Sequence, residues 1–213
     1  MRGWLAAAAA VMMLGILTPW HLKLKKGPNR ALSAVVKGTC TLVAAGLCLA
    51  GCLREGGLAD WWLLAGLCLC LAGDVLIIYH FLGGMGAFLL GHLAYIAAFL
   101  CRAPFFAGSV PVFIGVFGLI VLLFWRAIPT LGKSWPAYAV YAAVLSAMLS
   151  VATMLPAAPG KWTWRTATGA VLSTASDLLL ARNMLKKTGP FADWLSLTCY
   201  YTGQLLLALS VFL

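Results

Sequence analysis

Asp74 and Asp177 stand inside apolar runs of a 213-residue chain that carries five acidic residues in total. A carboxylate at the centre of a membrane-spanning helix costs about 2.5 to 3.5 kcal/mol on insertion scales, so such residues are functional candidates by default. Two carboxyl groups brought together can divide roles. One, paired with a cation, stays ionised, while the other, desolvated beside a like charge, keeps its proton. General acid catalysis assisted by a second carboxylate needs that asymmetry. Lys37 lies within an apolar run of its own and is the natural cation for one of the two. A structural alternative stays open, in which the acids pair with Lys37 or cap backbone groups only to hold helices together.

Four further polar side chains belong to the same reading. His92 has Phe88, Tyr95 and Phe99 around its face, and Tyr200, Tyr201 and Gln204 cluster near the end of the chain. Beside a catalytic pair they would orient water and hydroxyl groups. Each also has an ordinary reading as a packing residue with a satisfied polar end. A metal held by Asp74, His80 and His92 fits no known ligand spacing, so neither a metal nor another cofactor is expected. The seven cysteines lie mostly within apolar runs without paired spacing and read as small buried hydrophobes.

The elements that must position these residues follow from composition. A mean hydropathy of +0.99, 63% hydrophobic and 9% charged residues exclude an ordinary soluble domain. Apolar runs bounded by charge, Pro and Gly predict an all-α bundle of about eight transmembrane helices, at 3–19, 31–52, 58–80, 84–101, 108–126, 136–155, 165–183 and 191–213. The apolar N-terminal run to Pro19 lacks a small-x-small cleavage site before the Lys cluster and reads as the first span. A single helical domain covering 1–213 is expected. Strands are not, because these runs lack the alternation of barrel proteins and lipid leaves backbone groups no outside partner.

The net charge of +10 belongs to membrane topology and anionic headgroups rather than to nucleic acid, because the basic residues fall between apolar segments. Lys23, Lys25, Lys26, Arg30, Arg126, Lys133, Arg182, Lys186 and Lys187 follow odd-numbered spans, against Arg2, Arg54, Arg102, Lys161 and Arg165 on the other side. This bias puts the first set in the cytoplasm and both termini outside. Trp61 with Trp62 and Trp162 with Trp164 read as interfacial anchors. At about 1.5 Å per residue, Asp74 and Asp177 both lie about 9 Å from the cytoplasmic edge, with Lys37, His92 and Tyr200 at about 10 to 13 Å. The polar groups therefore share one layer.

Helical spacing adds detail. Thr166, Ala170, Ser173, Thr174 and Asp177 recur at three and four residues, a small, polar face that turns Asp177 toward protein. Ser33, Lys37 and Thr41 form a similar stripe. An acid near the end of span 3 and another near the end of span 7, each followed by a turn and a helix bearing aromatic and polar groups, hint at two four-helix halves.

The string Gly73-Asp74, Leu76, Phe81, Gly84-Met85, Phe88, Gly91-His92, Tyr95 and Phe99, followed by Ser176-Asp177, Leu180-Ala181, Tyr200-Tyr201, Gln204-Leu205-Leu206 and Ser210, resembles the two signatures of the lysoplasmalogenase, or YhhN-like, family. Gly38 after Lys37 departs from the family pattern, where Pro is expected. The resemblance implies a multi-pass integral membrane hydrolase, in the cell membrane if bacterial, with its catalytic layer toward the cytoplasm. The implied substrate is a lysophospholipid, lysoplasmenylcholine or lysoplasmenylethanolamine. Cleavage of its vinyl ether bond yields a fatty aldehyde and glycerophosphocholine or glycerophosphoethanolamine. Asp74 and Asp177 are the implied catalytic pair, and besides substrate the only partners expected are membrane lipids. A competing class, a proton-coupled transporter of small molecules or lipids, would use the same acids to carry protons.

Overall fold

The computed structural model describes residues 2–103, 107–157, 164–186 and 189–213, and among these every regular element is helical. α1 (Arg2–Ala10) runs through a π-helical stretch, Val11–Leu17, into α2 (Thr18–Leu24). Then follow α3 (Arg30–Glu55), α4 (Leu58–Tyr79), α5 (Phe81–Arg102) and α6 (Ser109–Phe124). A 3₁₀ stretch, Trp125–Ser134, leads to α7 (Trp135–Ala152), and α8 (Trp164–Lys186) and α9 (Pro190–Phe212) complete the chain.

Helix starts follow local chemistry. Asn29 Oδ1 accepts from the Leu32 N–H at 2.9 Å to cap α3, and Asp60 Oδ2 accepts from the Gly57 N–H at 2.8 Å at the head of α4. His80, weighed above as a metal ligand, caps α5 instead, its Nδ1 accepting from the Gly83 N–H at 2.9 Å. Pro190 opens α9, where its missing N–H leaves no bond unmade.

Six helices among the described residues are long and apolar enough to cross a membrane, and the protein is a multi-pass integral membrane protein. The count of eight expected from the sequence differs at two places. The fifth and sixth expected spans are joined in one run, Ser109–Ala152, by a 3₁₀ stretch that is broken at Gly132, whose φ of +53° and ψ of −135° are not helical. The seventh, Trp164–Lys186, is long enough, but Arg165, Ser173, Asp177, Arg182 and Asn183 lower its hydropathy. α8 also continues past residue 183, so Asp177 is nine residues from its end while Asp74 is five from the end of α4. The equal depths counted from helix ends are thus unequal, about 14 and 8 Å. Lys161, Trp162 and Lys187, used above for orientation and anchoring, lie outside the described residues.

The most extensive helix contacts are α4 with α5 and α8 with α9, and each pair carries one of the two acids on its first helix. Close approach explains both. A Cβ on Gly91 of α5 would lie 2.8 Å from Cys70 Sγ, and one on Gly66 of α4 would collide with the Tyr95 ring. On the second pair, a Cβ on Gly203 would lie 2.9 Å from the Gly169 carbonyl oxygen and 2.8 Å from Ser173 Oγ. Lipid supplies little hydrophobic drive between helices, so this intimate packing is a main source of cohesion. At the end of the bundle away from the two acids, Arg102 of α5 grips the carboxylate of Asp60 through Nη2 at 3.0 and 3.1 Å.

Gly203→Val is expected to lower stability by about 1–3 kcal/mol through overpacking. Thermal unfolding in detergent should show a lower midpoint, whereas Gly86→Ala, at a position with open space around the new methyl, should leave it within a degree or two of the parent.

Candidate functional site

Asp74 is fully buried and Lys37 is 8% exposed. Lys37 Nζ lies 3.1 Å from Asp74 Oδ1, an ion-pair contact without hydrogen-bond alignment, so that Oδ1 keeps acceptor capacity. Asp74 Oδ2 accepts from Thr41 Oγ1 and from the Tyr200 hydroxyl, the latter at 3.0 Å. Lys37 and Thr41 come from one stripe of α3, a turn apart, and Tyr200 from α9. The Phe88 ring closes this side, 5.9 Å from Lys37 Nζ and edge-on to Tyr200 at 5.9 Å.

Asp177 has different company. His92 Nε2 is 3.3 Å from Asp177 Oδ2, and the Tyr141 hydroxyl donates to the same oxygen at 2.7 Å. His92 Nδ1 lies 2.6 Å from the Phe88 carbonyl oxygen. A carbonyl only accepts, so Nδ1 is the ring nitrogen that donates there, and Nε2 is the one that faces Asp177. The Tyr141 ring stands edge-on to His92 at 5.8 Å, which fixes the imidazole from α7. The two acids are therefore unlike each other: one has a lysine side chain and two hydroxyls beside it, the other an imidazole and a phenol.

Two cavities meet here. A polar one of about 500 Å³ has Lys37, Asp74, Asp177 and Tyr200 on its wall and continues past Ser33 and Arg30 to Lys25 and Asp193. An apolar one of about 380 Å³ runs between α5, α6, α7 and α8 past Phe117, Phe124, Trp135 and Leu145. Asp177 belongs to both, with Ile77, Phe81, Phe88, Leu180 and Met184. Both volumes fall in the range of ligand pockets, about 300–1,000 Å³.

Of the seven residues singled out from the sequence, five converge: Asp74, Asp177, Lys37, His92 and Tyr200. Tyr201 and Gln204 point elsewhere. The Tyr201 hydroxyl donates to the Lys37 backbone carbonyl at 3.3 Å, which ties α9 to α3 behind the site. Gln204 Oε1 accepts from the Tyr95 hydroxyl, and its Nε2 is buried without a partner among the described residues. Sequence reasoning missed Tyr141, which lies in a run of Ala, Val and Tyr with no polar periodicity. It gave Thr41 no role at the site, although the stripe with Ser33 and Lys37 signalled it.

Fold and site together define a multi-pass helical membrane protein with two acids in dissimilar surroundings, one fully buried and the other on the wall shared by a polar and an apolar cavity. The chain belongs to the YhhN family, whose model matches residues 32–211. It is similar to the lysoplasmalogenase TMEM86B of Sus scrofa, 34% identical over 162 residues, 70% of this chain and 62% of the pig protein. Proteins named lysoplasmalogenase from Mycobacterium bovis and Mycobacterium tuberculosis are each 34% identical over 194 residues, 84% of this chain and 71% of theirs. The chain thus spans less than two thirds of the length of the pig relative. No solved structure matches it.

Lys37→Met strands Asp74 as an unpaired buried charge and is expected to cost about 3–5 kcal/mol, whereas Lys37→Met combined with Asp74→Asn removes both charges and should recover most of that loss. Unfolding midpoints of the parent, the single and the double variant check this; a double variant no more stable than the single one means that the ion pair is not what the site's stability rests on.

Proposed function

We propose that the protein is a lysoplasmalogenase, an integral membrane hydrolase that opens the vinyl ether bond of lysoplasmenylcholine and lysoplasmenylethanolamine. The observation that carries this reading is the position of Asp177 on the wall shared by the polar and apolar cavities. A one-chain lipid has its vinyl ether between a long apolar chain and a polar headgroup, so an acid at that junction meets the scissile group when chain and headgroup each occupy the matching cavity. The names of the relatives support the same reading.

In this mechanism the proton shared by Asp177 and His92 is delivered to the β-carbon of the vinyl ether, leaving an oxocarbenium ion. The Asp74 carboxylate stabilises that positive charge and, with Tyr200, orients a water molecule. Water adds to the cationic carbon and returns a proton to Asp177 and His92. The hemiacetal then breaks its bond to the glycerol oxygen, which takes up a proton, and the other fragment leaves as the aldehyde. The two carboxyl groups resemble those of glycosidases, whose surroundings also assign the roles. Lys37 balances the charge of Asp74 throughout, Tyr201 acts through the Lys37 carbonyl it holds, and Gln204 acts through the Tyr95 hydroxyl.

We further read the chain as one helical domain with eight crossings. In this arrangement Ser109–Ala152 crosses twice about the turn at Gly132, and Trp164–Lys186 crosses once. The hairpins α4–α5 and α8–α9 correspond in two four-helix halves. The end bearing Lys25, Arg30 and Arg182 faces the cytoplasm.

Asp74→Asn and Asp177→Asn are each expected to lower aldehyde release from lysoplasmenylethanolamine by about 10²-fold or more. The assay uses purified protein in liposomes without any ion gradient, which a transporter would need. Near-parental turnover by either well-folded variant rejects the catalytic pair. Tyr141→Phe, which keeps the ring and removes the donor to Asp177, should lower kcat by about tenfold while leaving KM within a factor of two or three.

A further inference from the structure

The polar cavity holds one acid that the chemistry above does not use. Asp193 sits in the first turn of α9, its Oδ2 2.8 Å from Lys25 Nζ and its Oδ1 3.2 Å from Asn183 Nδ2. The side chains of Lys25 and Asp193 are 50% and 28% exposed, so the pair stands at the outer part of the cavity, on a wall shared with Arg30. Deeper in, Asp74 is matched by Lys37 and Asp177 by His92. Among the described residues of this wall, what remains at the mouth is two cations and one anion.

We propose that this mouth is a subsite for a zwitterionic headgroup, in which Lys25 and Arg30 take the phosphate and Asp193 takes a primary ammonium. The inference rests on the lysolipid reading given above and deepens it. In the structure Lys25 and Asp193 satisfy each other, and an exposed ion pair is weak enough to open at small cost. A phosphoethanolamine group carries the same two charges. Its phosphate replaces Asp193 on Lys25 and its ammonium replaces Lys25 on Asp193, so each side chain exchanges one opposite charge for another and the count of matched charges does not fall. A lysolipid ending in a bare phosphate satisfies Lys25 but leaves Asp193 beside an added anion. Choline is the weaker fit for a different reason. A quaternary ammonium offers no N–H to a carboxylate and is recognised by aromatic faces. Among the described aromatic residues of this wall, Phe88 and Tyr200 surround the Asp74 layer, and Phe81 alone does not make a cage. The subsite therefore prefers ethanolamine to choline, and Asp193 is the residue that reads the difference.

The test is equilibrium binding of lysophosphatidylethanolamine, lysophosphatidylcholine and lysophosphatidic acid with identical acyl chains to the full chain in detergent. These probes have no vinyl ether, so binding is read without turnover, and failure of the catalytic reading is scored separately by aldehyde release. The parent should bind the ethanolamine lipid tightest. Asp193→Asn should weaken that binding by about tenfold or more, bring the ethanolamine and choline affinities together and leave lysophosphatidic acid unchanged or tighter. Lys25→Gln should weaken all three. The proposal is overturned if Asp193→Asn weakens the three lipids by one common factor, or if the ethanolamine-to-choline ratio stays at its parental value. Asp193→Ser, measured with the same probes, decides the matter if the Asn variant does not fold.

Discussion

Two carboxyl groups inside an apolar bundle must find polar partners, and their partners come from other helices. Asp74 on α4 draws Lys37 and Thr41 from α3 and Tyr200 from α9. Asp177 on α8 draws His92 from α5 and Tyr141 from α7. Six helices are tied by two side chains. Because an unpaired buried charge is worth several kcal/mol of instability, these ties restrict the register of the helices as well as their adjacency. The glycine contacts between α4 and α5 and between α8 and α9 let these pairs pack closely, since a Cβ at Gly66 or Gly203 would collide with the facing helix.

The same ties separate the chemistry of the two acids. Asp74 faces the Lys37 side chain and two hydroxyls. Asp177 faces the imidazole of His92, whose Nδ1 is committed to the Phe88 carbonyl, and the Tyr141 phenol. Lys37 beside one acid and His92 beside the other thus give two identical functional groups different surroundings. Asp177 lies on the wall shared by the polar and the apolar cavity, whereas Asp74 lines the polar cavity alone.

Much of the site could be read from residue type. Charged and strongly polar residues in apolar runs are costly, so Lys37, Asp74, His92 and Asp177 stood out before any coordinates. Tyr200 followed because a hydroxyl near those depths has few other partners. Tyr141 could not be found this way, because a tyrosine among alanines and valines has the same local signature as any packing aromatic. Tyr201 shows the converse. It is next to Tyr200, but neighbours on a helix point about 100° apart, so only one of the two reaches Asp74 while the other reaches the Lys37 carbonyl. The span count departed from expectation for an equally local reason. Hydropathy averages over a helix, and α8 carries buried Thr166, Ser173 and Thr174 together with exposed Arg165 and Arg182.

Composition and the position of its few charges were enough to dictate that this chain is helical, lies in a membrane and buries two acids, since each follows from the cost of exposing polar groups to lipid. Which partner each acid receives, and that Asp177 is the one at the meeting of the two cavities, depends on how α5, α7 and α9 pack around α4 and α8. Those distances join residues as far apart in sequence as 126 positions, Asp74 to Tyr200, and no local pattern encodes contacts at that range.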